Sequence, residues 1–176
     1  EPIRNIDDIK KFENYFSKLD ARYLLMFTIG TNCGLRISDI VALNVGDVKG
    51  KTHINITEKK TNKSKKFLIN AKLKPMIAEF TKERKADEPL FITIFKNRMD
   101  RFGAYYILKT AAKNIGWHGQ IGTHTLRKTF GYHHYKKFKD VAMLQKIFNH
   151  SSPVITLRYI GIEQDEIDKS YTNFIL

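Results

Sequence analysis

The chain of 176 residues contains a single cysteine, Cys33. No intrachain disulfide can form, which suits a reducing compartment. With Phe27, Ile29 and Leu35 as neighbours, Cys33 reads as a buried structural thiol. No apolar run approaches the roughly 20 residues of a membrane span. No signal-peptide pattern opens the chain. These features predict a cytoplasmic protein with no membrane partner. Internal repeats and low-complexity tracts are also lacking. Acids are few: eighteen Asp and Glu face thirty-one Lys and Arg, for a net charge of +13. They form no cluster that would recommend a magnesium site.

The basic excess predicts a polyanionic partner. It is unevenly placed. Residues 49–66 hold seven lysines and one acid, and residues 127–139 hold five basic residues and no acid. The last fourteen residues carry four acids against one lysine. The pattern resembles a binding footprint beside a separate acidic tail. Ordinary apolar and aromatic fractions exclude global disorder, and the length suits one domain with a real core.

Periodicity predicts a mainly helical chain with one small antiparallel hairpin. Asn5-Ile6-Asp7-Asp8 starts a first helix, with Ile9, Phe12, Tyr15 and Phe16 on one face. A second runs from Ala21 to about Thr31 and is punctuated by Gly34. A short helix covers Ile37 to Leu43. Residues 52–57 alternate as a strand, and Lys66 to Ile69 form a second, joined through a turn at 61–64 into a lysine-tipped hairpin. Helices follow over 71–84, with Pro75 tolerated near its start, and over 100–115, ended by Gly116. Leu90-Phe91-Ile92 reads as a short extended piece. Thr123 is placed to cap a helix carrying His124 through Lys136. Asp140 to Phe148 makes another, with Asn149 as a left-handed cap. Ser152 and Pro153 start the next, with Tyr159 near its end. Residues 163–175 form a last, acidic helix with Ile167, Tyr171 and Phe174 on one side.

Chemistry-bearing residues concentrate in the last third. His124 and Arg127 stand three residues apart, and His150 precedes Tyr159 by nine. Cys33-Gly34-Leu35-Arg36 supplies a second arginine upstream. Two arginines, two histidines and a tyrosine in a basic chain point to phosphodiester chemistry. The arginines can hold the phosphate, the histidines can move protons and the tyrosine can attack.

In order along the chain, Cys-Gly-Leu-Arg-Ile-Ser-Asp, the hairpin Lys-Thr-Asn-Lys, His-Thr-Leu-Arg-Lys-Thr and Asn-His-Ser-Ser with its following Tyr resemble the signature of tyrosine recombinases of the phage-integrase type. The match runs from about residue 5 to 162. It implies that Arg36 and Arg127 clamp the scissile phosphate, each fork meeting two oxygens. Lys60 would act as general acid to the 5′-hydroxyl, with Lys59 and Lys63 as rivals. His124 would handle the proton at the nucleophile, and His150 would hydrogen-bond the phosphate. Tyr159 would be the nucleophile, forming a 3′-phosphotyrosyl bond. Asp39 would orient its neighbours. Lys59, Lys63, Lys65 and Lys128 are candidate DNA contacts. Lys128 stands where the family often has His, and Asn149 where it often has Gly. His133 and His134 match no family position and read as surface or DNA-facing.

The resemblance further implies a site-specific recombinase that needs no cofactor, metal or ATP. It works on double-stranded DNA with other recombinase protomers. A bacterial or phage-encoded, nucleoid-associated protein is implied. Residues 1–176 would be the catalytic domain, with 163–176 as a tail helix that docks on a neighbouring protomer. The family's N-terminal clamp domain is expected to be absent from this chain. Two other readings remain: a type IB topoisomerase-like enzyme, and a non-catalytic DNA-binding domain.

Overall fold

A computed structural model describes residues 1–57, 64–162, 169, 171, 172 and 174. Lys59, Lys60 and Lys63 lie outside the described residues, as does most of the proposed tail helix. The remainder is helical with one small sheet, as the sequence predicts.

Helix α1 (Ile6–Leu19) starts where the Asn5 side chain accepts the Asp7 N–H. Asp7 and Asp8 lie at the positive end of its dipole. Phe12 and Phe16 are fully buried and stack toward Phe27 of α2 (Ala21–Cys33). Asp20 caps α2 through the Arg22 N–H. α2 is the central post of the fold, burying Leu25, Met26, Phe27, Ile29 and Cys33. Burial pushes the Cys33 thiol up to about 12, so it stays protonated and inert. The helix ends at Gly34, whose φ of 66° is left-handed. A side chain there would also strike the Phe130 ring.

α3 (Ile37–Ala42) follows, then a 3-10 turn at Val45–Asp47. Strands β1 (His53–Thr57) and β2 (Ser64–Leu68) pair antiparallel, with Ile54 opposite Phe67 and Ile56 opposite Lys65. α4 (Leu73–Thr81) is shorter than the periodicity predicts. Asn70 Oδ1 accepts the Lys72 and Leu73 N–H groups and so fixes a later start. At the far end, Arg84 donates to the Pro89 and Leu90 carbonyls and holds the chain in a loop. The extended piece near Leu90 forms two isolated bridges, Asn44 with Pro89 and Ile92 with Arg98.

α5 (Arg101–Asn114) ends before Gly116 at φ 67°. α6 (Thr125–Phe138) begins one residue later than the expected Thr123 cap implies. The Thr125 hydroxyl accepts the Gly122 N–H at 2.9 Å and closes a turn over 122–125. His124 therefore occupies the cap position, without a side-chain cap bond. α7 (Val141–Phe148) ends at Asn149 with φ 57°, the predicted left-handed cap. α8 (Pro153–Ile160) starts with the Ser152 hydroxyl on the Ile155 N–H and proline in the first turn.

Two apolar clusters result. The larger joins α1 to α5 and reaches α6 through Leu126. The smaller joins α6, α7 and α8 through Tyr132, Tyr135, Leu144, Phe148 and Ile160, with Tyr159 packed against it. The candidate site lies at the seam between them.

Candidate active site

Arg127 ties the two clusters together. Its Nη1 donates to the Gly34 carbonyl at 2.6 Å, and its Nη2 to the Phe148 carbonyl at 2.9 Å. The guanidinium also lies 4.3 Å from the Phe148 ring centroid. Only 4% of the residue is exposed. Burial lowers its pKa to about 10, with the Arg36 charge acting the same way against the opposing influence of Tyr159 and Asp39. It remains cationic at neutral pH. The left-handed turn at Gly34 brings one carbonyl to the guanidinium, and the α7 terminus brings the other.

Arg36 follows two residues after that turn, at the start of α3. Its side chain is 43% exposed and lies 4.0 Å from the Asp39 carboxylate. The two arginines therefore differ in kind: one is a buried strut with a charged end, the other a half-open cation.

Tyr159 is held on several sides. Its hydroxyl is 3.1 Å from His124 Nδ1. Its ring packs at 5.0 Å on His150 and 5.5 Å on Phe148, both edge-on. Lys128 Nζ lies 5.2 Å from the ring centroid. Burial raises the phenol pKa, while the charges of Arg127 and Arg36 pull against that rise. The resting side chain is a neutral phenol.

The two histidines are shifted the other way. Loss of surrounding water lowers His124, helped by Arg127, Lys128 and Arg36. Burial lowers His150, helped by Arg127, Arg36 and Lys65. Both are neutral at pH 7. His150 Nδ1 is 3.1 Å from Thr156 Oγ1, whose own proton can go to the Ser152 carbonyl at 3.3 Å. With the hydroxyl proton turned instead to Nδ1, the imidazole proton sits on Nε2, which is left as a donor. His124 can accept the Tyr159 proton directly at Nδ1.

The structure thus brings Arg36, His124, Arg127, His150 and Tyr159 to one seam, with Asp39 beside Arg36. Three further residues named from the sequence are also placed. Lys65, placed among the DNA contacts, turns its Nζ to the Ile147 carbonyl at 3.2 Å, near the end of α7. His133 and His134 are half-buried rather than surface groups. His133 Nε2 bonds the Ile3 carbonyl at 2.9 Å. His134 packs between Phe130 and Phe138, where burial lowers its pKa against the opposing charge of Asp140. Sequence reasoning missed the packing roles of Phe148 and Thr156 at the site. Phe148 carries no signal beyond apolarity, whereas Thr156 stands six residues after His150 with its hydroxyl on the same helix turn as Ser152. Among the described residues, no group of three or more His, Cys, Asp or Glu could hold a metal ion. No helix among them is long and apolar enough to cross a membrane.

Comparison with known proteins fits this geometry. The chain is 47% identical over 175 residues to the probable integrase/recombinase YoeC of Bacillus subtilis, covering 99% of this chain and 96% of that protein. It is 29% identical over 143 residues to the tyrosine recombinase XerC of Herpetosiphon aurantiacus, covering 77% of this chain and 46% of the relative. It thus spans nearly all of YoeC and about half of XerC. The fold superimposes on the crystal structure of XerA recombinase with a TM-score of 0.80 at 20% identity, over 96% of this chain and 63% of that one. It matches XerH recombinase, in a post-cleavage complex with a palindromic difH substrate, with a TM-score of 0.77 at 20% identity, over 96% and 51%. The sequence profile of the phage integrase family covers residues 4–166, nearly the whole of the chain and all of the seam around Tyr159, and the chain belongs to that family of tyrosine recombinases.

Proposed function

We propose that this chain cuts and rejoins double-stranded DNA through a covalent bond to Tyr159. The observation that carries the reading is the Tyr159 hydroxyl set against His124 Nδ1 at 3.1 Å, on the same seam as two arginines. The Tyr159 proton passes to neutral His124 as the phenolic oxygen attacks phosphorus. Arg127 and Arg36 take the charge that gathers on the non-bridging oxygens. The bond from phosphorus to the 5′-oxygen breaks. That oxygen takes a proton from Lys60, a role implied by the family signature. The product is a 3′-phosphotyrosyl link and a free 5′-hydroxyl. The bond energy is conserved, so attack by a new 5′-hydroxyl reverses the steps without ATP. His150 holds a phosphate oxygen, and Asp39 steadies Arg36.

The arginines and Lys60 supply the positive charge, so the step is assigned no metal. The partner is duplex DNA, supported by the +13 charge and by the DNA-bound XerH neighbour. Other protomers would join on paired sites.

The test is covalent capture on nicked duplexes of randomised sequence, followed by peptide mapping. Wild-type chain should give an adduct on Tyr159. Tyr159→Phe should bind DNA and give none. An adduct on another tyrosine, or a strict Mg²⁺ requirement in excess EDTA, would overturn the reading.

A further inference from the structure

Lys128 stands one residue beyond Arg127 on α6, with its side chain half-buried. Its peptide N–H donates to the His124 carbonyl at 2.8 Å. Its ammonium lies 5.2 Å from the Tyr159 ring centroid. His124 Nδ1 in turn meets the Tyr159 hydroxyl. These three contacts close a triangle. The backbone of Lys128 fixes the turn that carries His124, and its side chain covers the ring whose hydroxyl His124 meets. With Phe148 and His150 edge-on against the same ring, Tyr159 is confined from several directions.

We propose that Lys128 is a positioning residue for the nucleophile, holding the Tyr159 ring by its face against His124, and is not a phosphate contact. The proposal rests on Tyr159 being the nucleophile. An ammonium above an aromatic face is attracted to the ring's quadrupole. The attraction grows as the ring takes on phenolate character, so the contact favours the attacking state over the resting one. Arginine can make the same contact by stacking. Methionine keeps the stem and loses the charge.

Charges facing Tyr159 come from several elements: Arg127 and Lys128 on α6, His124 ahead of it, His150 between α7 and α8, and Arg36 ahead of α3. Asp39 and Lys65 act one step removed, on Arg127 and His150. Lys128 is among the charges that hold His124 low. Removing it lets His124 keep its proton to higher pH. The base must be unprotonated, so the acid limb of cleavage must then move to higher pH.

The experiment measures single-turnover adduct formation at saturating DNA, on a nicked duplex captured from the randomised pool by the wild-type chain. Lys128→Met should slow cleavage about tenfold and move the acid limb upward, with DNA affinity and its salt dependence unchanged. Lys128→Arg should restore most of the rate. Lys109, whose Nζ lies 5.8 Å from the Tyr105 ring on α5, is the matched control. Lys109→Met removes the same charge and should leave cleavage alone. The proposal is overturned if Lys128→Met weakens DNA binding, reduces the salt slope by about one and leaves the saturated rate and pH profile intact. That result makes Lys128 a phosphate contact only. A second measurement needs no DNA: NMR of ring-labelled tyrosine. Lys128→Met should move the Tyr159 resonance and Lys128→Arg should return it; an unmoved resonance overturns the contact. If the wild-type chain forms no adduct at Tyr159, the nucleophile reading fails, while the NMR result still decides whether Lys128 holds the ring.

Discussion

His124 Nδ1 and Tyr159 Oη stand 3.1 Å apart although thirty-five residues separate them in the chain. Each is held by its own local device. The Thr125 hydroxyl closes the turn that carries His124. Ser152 and Pro153 fix the start of the helix that carries Tyr159. Between them, the environment keeps phenol and imidazole both neutral at rest, the correct starting state for proton transfer on attack.

The pH profile of cleavage should follow from that pair. His124 and His150 are both shifted below the ordinary 6.5. A neutral imidazole is required at His124, so activity is fully present above 6.5 and is lost as pH falls through the lowered value. His124→Asn should remove this limb and slow cleavage by about 10²–10⁴. Single-turnover rates from pH 5 to 8 would check it; an acid limb centred above 6.5 would contradict the assignment.

The two arginines should separate in stability. Arg127→Lys breaks bonds to the Gly34 and Phe148 carbonyls in a buried place. It should cost about 2–3 kcal/mol of folding free energy and most of the activity. Arg36→Lys, on a half-open side chain, should lose most of the activity while stability stays within about 0.5 kcal/mol. Urea melts beside cleavage rates would test the contrast, and equal melts for the two variants would refute it.

Gly131 lets α8 approach α6. A Cβ built there would sit 2.6 Å from Ile160 Cγ2 and 2.8 Å from Phe148 Cε2. Gly131→Ala should cost about 1–3 kcal/mol by overpacking. It should also slow cleavage in protein that remains folded, because Ile160 adjoins Tyr159 and Phe148 supports its ring. Thermal melts and saturated cleavage rates read the two effects separately. A variant with wild-type melting and cleavage would show that the helices yield freely.

His134 should make the fold acid-sensitive. Its Nδ1 is buried without a hydrogen-bond partner among the described residues. Burial holds its pKa below 6.5, so the unfolded chain takes up the proton first. The stability tied to the neutral ring is complete above 6.5 and is lost as pH falls through the lowered folded value. His134→Phe should remove that loss, so the stability difference between pH 8 and pH 5 should shrink. Urea melts at pH 5 and pH 8 measure it; an unchanged difference between the two would disprove the role.

Helix boundaries governed by neighbours in sequence were legible from the residues. Asn5, Asn149 and the Ser152-Pro153 pair act on backbone groups within a few residues, so their chemistry can be read without the fold. Thr123 misled for a related reason. It is a good cap by type, yet the hydroxyl two residues on captures the Gly122 N–H and starts the helix later. Two acceptable local solutions existed, and packing selected one.

The fold class, the net positive charge and the set Arg36, His124, Arg127, His150 and Tyr159 that the fold brings together follow from the amino-acid sequence. These depend on periodicity, net charge and an ordered set of residue types. Tertiary structure alone decided how the members are held. Arg127 became a buried strut because Gly34, far from it in sequence, presents a carbonyl at 2.6 Å. Lys65 turned to α7, His134 turned into an aromatic pocket, and Lys128 came to lie over Tyr159. Each choice is a balance between hydration and a partner brought from a distant part of the chain. Long-range packing sets that balance, and local propensity does not encode it.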